Sequence, residues 1–471
     1  MIFLVNPYIT SAERYGKDIG DIGGHQMPLG IFYLAAALEK AGEDVCVMDC
    51  ESLNVTHEEF ISKVKELNGV IVGITSTTVG FYRARSLAEM LRKTIPGIHI
   101  IIGGPHMSAM PEQTMQTGVF DYGITHEGET PLTKLVSFLL HQKGELANVP
   151  NLYYLENGIQ KTGRMEYIQD MDSIPLPARH LSKDLSIYKP PVGAYREKPV
   201  MNMLTSRGCP YHCIFCDNNT FGRKTRFFSA EYVVNEIKQL IFTYGAKEIA
   251  FLDDTFVLDK KRLRKIFELL DADNIHFPWT CMTRVNNLDF ETLEFMSNHG
   301  CWQIRIGIES GNQKVIDFIK KGITLEQVRN VANWSNSLRI KVSGFFIIGH
   351  HIDTPKTIQD TIEFALSIPL TDIIATINTP IPGTESYKLA KQYGDYQEDD
   401  WLSLNYWTPI FVPHGLTKEF MLKKQVEMYS RFYRRPAILL KQLQKIKSWQ
   451  ECKLYIHNAY LGAKFLIKGN N

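Results

Sequence analysis

Three thiols fall within eight residues in Cys209-Pro-Tyr-His-Cys213-Ile-Phe-Cys216. Thiolates are soft ligands that suit iron–sulfur clusters or zinc. A closed structural zinc site wants a fourth ligand, usually from a second CxxC or a pair of histidines. The chain has no second CxxC, and its other cysteines, Cys46, Cys50, Cys281, Cys301 and Cys452, are scattered. A zinc knuckle would have to recruit His212. Three thiolates on a four-iron cluster would instead leave one iron open to a substrate or cofactor.

The elements that must carry this motif alternate in type. From Val200 to about Asn405, apolar runs at Val200–Thr205, Glu248–Leu252, Trp279–Thr283, Gln303–Ile308, Val342–Ile348 and Ile373–Asn378 alternate with helical patterns. Six βα units predict a partial barrel, whose chemistry belongs at the carboxyl ends of its strands. The cysteines follow the first strand. Polar residues follow the others: Asp253-Asp254, Arg284, Glu309 and Thr379. Cys281 and Cys301 lie in or beside apolar strands and read as packing.

Residues 1–143 show a second βα series. Strands are expected at Ile2–Val5, Asp44–Met48, Val70–Thr75, Ile98–Ile102 and Val119–Ile124. Helices are expected at Leu29–Ala41, Glu58–Leu67, Phe81–Thr94, Ala109–Thr117 and Pro131–His141. This pattern predicts a doubly wound, flavodoxin-like α/β domain. Its strand ends carry small, glycine-rich loops: Thr75-Ser76-Thr77-Thr78, Gly103-Gly104-Pro105-His106 and His126-Glu127-Gly128-Glu129. Such loops let backbone amides approach a ligand closely. No GxGxxG follows the first strand, which disfavours a dinucleotide fold. Residues 144–199 are proline-rich, with a hairpin predicted around Glu156-Asn157-Gly158 and an extended connector after it.

With Phe215 before its last cysteine, the CxxxCxxC motif resembles that of the radical S-adenosylmethionine (SAM) superfamily. The N-terminal loops, with Pro28-Leu29-Gly30 opening the first helix, resemble the cobalamin-binding domain that precedes many radical SAM modules. The resemblance covers nearly the whole chain. It implies a 4Fe–4S cluster on Cys209, Cys213 and Cys216, SAM on the open iron, and cobalamin on the N-terminal domain. It places Thr75, Ser76, Gly103, Gly104, Glu127 and Gly128 at cobalamin. Around SAM it places Phe215, Asp253 or Asp254 at the amino group, Glu309 at the ribose or amino acid, and Thr379 in a loop over adenine. Arg284 would pair with the SAM carboxylate. A cobalt-ligating DxHxxG motif is absent; Asp21-Ile22-Gly23-Gly24-His25 has other spacing, leaving water or a side chain such as His25 for the lower face. His350-His351 depart from the family pattern and inherit no role.

The implied activity is reductive cleavage of SAM to a 5′-deoxyadenosyl radical, followed by methylation of an unactivated carbon of a lipid, pigment or secondary-metabolite intermediate. The alternative is ring closure or oxidation without net methyl transfer. A methylthiotransferase would need three further cluster cysteines in the N-terminal domain, where only Cys46 and Cys50 occur. A non-catalytic cobalamin-binding module is the remaining reading.

Composition bounds the partners. With 44% apolar and 22% charged residues and a net charge of +1, the chain has no global bias toward nucleic acid. No apolar run approaches the roughly 18 residues of a membrane span. The N-terminus reads as a strand rather than a signal peptide, and irregularly spaced free cysteines suit a cytoplasmic location. A flavodoxin- or ferredoxin-type electron donor is expected. The C-terminal region, 406–471, is basic: residues 415–471 hold 12 Lys/Arg against 3 Asp/Glu. Amphipathic helices there could cap the barrel, touch a membrane surface, cover a lipid-like substrate or bind RNA.

Overall fold

The computed structural model describes residues 1–15, 24–191, 193–398, 401–436 and 438. In the N-terminal sheet, β1 (Ile2–Asn6), β2 (Val45–Asp49), β3 (Ile71–Thr75), β4 (His99–Gly103) and β5 (Tyr122–Ile124) run parallel. Their order, β2-β1-β3-β4-β5, is the flavodoxin order the sequence predicts. Helices cover both faces, so Ile100, Ile101 and Ile102 are all buried and the strands read as unbroken apolar runs.

Two details differ from expectation. The hairpin of β6 (Leu152–Leu155) and β7 (Ile159–Lys161) is not part of a free connector; it extends the first sheet by pairing antiparallel with β5. The helix expected over Ala109–Thr117 is split into Pro105–Ala109 and Pro111–Gln116. Pro111 disfavours helical backbone at the preceding residue, and Met110 sits at φ −134°.

The second sheet holds β8 (Val200–Met203) and, after a short antiparallel pair β9 (Ser206–Arg207) and β10 (Arg226–Phe227), five more strands. These are β11 (Glu248–Phe251), β12 (Trp279–Thr283), β13 (Cys301–Glu309), β14 (Lys341–Ile348) and β15 (Asp372–Ile377). All six main strands are parallel, in the order β15-β14-β13-β12-β11-β8. This is the open six-stranded barrel expected. The connector plugs its lower end: the amides of Arg196 and Glu197 donate to Glu248 at 2.7 and 2.9 Å, and Arg305 Nη2 donates to the Ala194 carbonyl.

The C-terminal helix Lys418–Tyr433 caps the barrel's open edge. Gln425 Nε2 donates to the Ala375 carbonyl at 2.7 Å, and the Ala375 amide donates to Tyr429 Oη at 2.9 Å. The helix thereby satisfies backbone groups that edge strand β15 would leave unpaired. The helix expected over 437–446 and the aromatic-rich patch 454–467 lie outside the described residues, apart from Ile438. Among the described residues no helix is long and apolar enough to cross a membrane.

The two sheets share one core. Apolar packing runs from one face of the first sheet through helix Leu29–Lys40 into the barrel, and a second core fills the other face. Tyr33 on that helix stacks on Phe228 of the barrel, with ring centroids 6.3 Å apart.

Candidate functional site

The cysteines lie on a loop whose two ends are clamped by the β9–β10 pair. Gly208 turns the chain into the motif at φ +89°; a Cβ there would meet the Lys224 carbonyl at 2.6 Å, so only glycine fits. Cys213 is buried, while Cys209 and Cys216 keep accessible surface. Desolvation raises the partly buried Cys209 thiol above its ordinary pKa. The thiols must surrender their protons to any metal they bind.

Three soft thiol donors share this loop, and Arg284 is aimed at the Cys213 sulfur; this is the donor type an iron–sulfur cluster takes. His212, the ligand a zinc knuckle would recruit, is exposed, and its Nδ1 accepts from Arg223 at 3.0 Å.

Around this loop the barrel's strand ends supply a buried polar network. Arg284 Nη1 donates to Cys213 Sγ at 3.3 Å, its guanidinium lies 3.6 Å from the Tyr211 ring centroid, and Nη2 donates to the Lys321 carbonyl. Glu309 ends β13 in left-handed backbone, φ +67°, and pairs with Lys321 Nζ at 2.6 Å. Lys321 also lies 5.8 Å from the Phe215 ring. Lys321, which no motif marked, thus links Arg284, Glu309 and Phe215. His350 sits 6.1 Å from Phe215, ring to ring; its Nε2 is buried without a protein partner, and burial pushes its pKa down to about 3.

The acidic pair divides. Asp253 is fully buried and accepts from the Thr205 amide, Thr205 Oγ1 and Ser206 Oγ, which fastens the lead-in to the cysteines. It does not face open space, so it is no free partner for a ligand ammonium. Asp254 does line the cavity, and burial with the adjacent Asp253 raises its carboxyl pKa. Thr379 is buried, with its hydroxyl donating to the Ile377 carbonyl; the neighbouring Ile381 and Pro382 line the cavity instead.

On the facing domain, Thr75, Gly103, Gly104, Glu127 and Gly128 line the same cavity. Ser76 is buried, its hydroxyl bonded to the Thr77 carbonyl. Gly104 forms a cradle: at φ +92° a Cβ would meet Thr75 Oγ1 at 2.7 Å and the Ser76 amide at 2.9 Å. Glu127 is already engaged, pairing with Arg207 at 3.0 Å and Arg226 at 2.5 Å and accepting from the Ile168 amide. His25 does not line the cavity; its Nδ1 lies 3.7 Å from Glu51.

The result is one cavity of about 990 Å³ between the domains. Gly208, Asp217 and Asp254 face it from the barrel, and Thr75, Gly104 and His126 from the first sheet. A strap over residues 401–413 forms a further wall with Asn405, Tyr406 and Trp407. Tyr406 has φ +65° and its carbonyl accepts from the Ile377 amide at 2.8 Å. Sequence reading took this stretch as a domain boundary and missed its residues.

Comparison with known proteins agrees with this layout. A model of the radical SAM superfamily matches residues 203–365, and one of the B12 binding domain matches residues 17–136. An uncharacterized methyltransferase of Pyrococcus horikoshii is 32% identical, over 94% of this chain and 94% of its own. An anaerobic magnesium-protoporphyrin IX monomethyl ester cyclase of Cereibacter sphaeroides is 27% identical, over 90% of this chain and 70% of its own. The structure of OxsB, a cobalamin-dependent SAM radical enzyme with aqua-cobalamin and SAM bound, superposes with a TM-score of 0.77 at 16% identity; the match covers 99% of this chain and 71% of that one.

Proposed function

The chain belongs to the radical SAM superfamily, among members with an N-terminal B12-binding domain, and from this we propose that it is a C-methyltransferase acting on an unactivated carbon. The observation that carries the proposal is the shared cavity: Gly208 and Asp217, on either side of the three cysteines, and the Thr75 and Gly104 loops open onto the same space. When bound, the cluster with SAM and cobalamin supplies reductive carbon–sulfur cleavage and a carrier for the methyl group.

The chain's own residues position, shield and discriminate. Cys209, Cys213 and Cys216 hold the cluster, and Arg284 adds a hydrogen bond to the Cys213 sulfur. Asp254 faces the cavity as an acceptor for the SAM ammonium, the role first expected of either Asp. Glu309 and Lys321 form a pre-paired acceptor and donor beside Phe215 for the ribose and amino-acid groups. Gly104 lets the Thr75–Ser76 backbone approach the corrin. Leu204, Leu252, Ile374 and Trp407 keep the wall of the cavity apolar, which excludes water from a reactive radical. No side chain need move a proton in the transfer.

A second reading keeps both cofactors but closes a ring or oxidises the substrate; the similarity to a cyclase favours keeping it in view. The test is anaerobic reconstitution with iron, sulfide and hydroxocobalamin, followed by SAM and dithionite. Methyl transfer predicts 5′-deoxyadenosine, S-adenosylhomocysteine and labelled methyl in the product. Product without label would replace it by the second reading. Retained cluster without cobalamin would overturn both.

A further inference from the structure

The interdomain cavity reaches both edges of the open barrel. Leu204 and Leu252, which follow β8 and β11, line it from one edge, and Ile374 and Thr376 of β15 line it from the other. Along β15, Ile373 and Ala375 are buried in the core. Ile374 between them keeps 39% of its surface, so the pleat turns it toward the cavity. An isoleucine bared at that position has apolar surface to give to a ligand.

A neutral donor stands beside these walls. Asn405 Oδ1 accepts from the Trp407 and Thr408 amides, both at 3.0 Å, and this turn holds Tyr406 on the cavity wall in left-handed backbone. Tyr406 keeps 43% of its surface, and its hydroxyl has no partner among the described residues. The cations are already engaged. Among the described residues the lining holds Arg14 and Arg207 but no lysine; Arg14 pairs with Glu51, and Arg207 with Glu127 and Glu129. Asp217 and Asp254 line the same space, neither in an ion pair among the described residues. A ligand phosphate or carboxylate at the barrel edges would meet carboxylates and no free cation, so its desolvation would go uncompensated.

We propose that the substrate of this site is an uncharged, largely hydrocarbon molecule carrying a neutral oxygen function. Its hydrocarbon lies between the two barrel edges, against Leu204, Leu252 and Ile374, and its oxygen accepts from the Tyr406 hydroxyl. The same walls reject phosphorylated, nucleotidyl and multiply carboxylated compounds. The inference names a substrate class for the proposed methyl transfer and rests on that reading of the cavity.

The test measures binding rather than turnover. The full chain, loaded with cluster and cobalamin, is brought to equilibrium by dialysis against decanol or decyl phosphate, which share a hydrocarbon chain and differ in charge. Decanol should bind at least about tenfold more tightly than decyl phosphate. Ile374→Lys adds a cation to the wall at a position outside the buried core, and should erase or reverse that preference. If this variant loses its cofactors, Thr376→Lys on the same face of β15 takes its place. Tyr406→Phe should weaken decanol binding about threefold with iron and cobalamin contents unchanged. Equal or tighter binding of decyl phosphate overturns the proposal, as do failure of both probes to bind and a preference that the lysine does not alter. The same loaded protein is then given SAM and dithionite: the decanol preference without any 5′-deoxyadenosine would count against the activity and leave the substrate class standing.

Discussion

Arg207 Nη1 lies 3.0 Å from Glu127 Oε1, and this contact crosses from the barrel to the N-terminal sheet. Arg207 stands two residues before Cys209, and Glu127 sits in the loop after β5. Glu129 takes the other terminal nitrogen of Arg207 at 2.6 Å, and Arg226, the register partner of Arg207 across β9–β10, also pairs with Glu127. All four residues are buried. The loop that carries the three cysteines is thus fixed to a loop that lines the interdomain cavity.

Because the network is buried, removing one partner strands charge rather than merely deleting a contact. Glu127→Ala leaves Arg207 and Arg226 short of a carboxylate in a desolvated site, and the expected loss is about 3–5 kcal/mol. Urea denaturation of the apoprotein measures it. Glu127→Gln keeps an acceptor and should lose less; equal losses would show that charge is not what the site requires.

The adjacent aspartates should separate cleanly. Asp253→Ala removes the acceptor for the Thr205 amide and two hydroxyls, so it should destabilise the apoprotein by at least about 1–3 kcal/mol. Asp254→Asn faces the cavity and should leave the urea midpoint nearly unchanged. In cluster-loaded protein it should weaken SAM binding about tenfold or more, read by equilibrium dialysis. A reversed pattern would return the ligand role to Asp253.

The contrast between these two residues shows what the sequence could reveal. Strand runs such as Ile100–Ile102 and the βα rhythm made both sheets and their order legible, because a strand buried on both faces has to be apolar throughout. The cysteine spacing was local and equally legible. Which of two neighbouring aspartates turns inward depends on a packing partner 47 or 48 residues away, at Thr205 and Ser206. The resemblance places Glu127 at cobalamin and it does line the cavity, but its ion-pair partners, 80 and 99 residues on, leave no local trace. Lys321 and Tyr406 carry no motif either. The positive φ of Tyr406 is a three-dimensional property that a tyrosine in sequence does not announce.

Gly104 tests the corrin cradle. Its backbone, φ +92° and ψ −173°, lies in a region essentially restricted to glycine. Gly104→Ala adds about 1–3 kcal/mol of strain and drives a methyl group against Thr75 Oγ1 and the Ser76 amide. The expected result is loss of most bound cobalamin after desalting, with iron content unchanged because the cysteine loop is untouched. Full cobalamin retention would remove this loop from the site.

Acid stability should report on His106. Its ring is fully buried between Phe81 and Trp401, with centroids 4.1 and 5.0 Å away, and burial holds its pKa at about 3. An unfolded histidine titrates near 6.5. Between these values the unfolded chain binds the extra proton, so stability falls as the pH drops below 6.5, by up to about 1.4 kcal/mol per pH unit for this residue. His350 adds a second contribution of the same sign. Asp353 opposes them: its carboxyl is raised to about 6, so the folded chain takes up its proton first. His106→Phe isolates one of these contributions. It forfeits the Thr78 contact at 3.3 Å at every pH. The gap in unfolding free energy between the unaltered protein and the variant should then shift by about 2 kcal/mol between pH 7 and pH 5, in the variant's favour at the lower pH. Urea midpoints at the two pH values measure this, and a pH-independent gap would mean that His106 accepts a proton without unfolding.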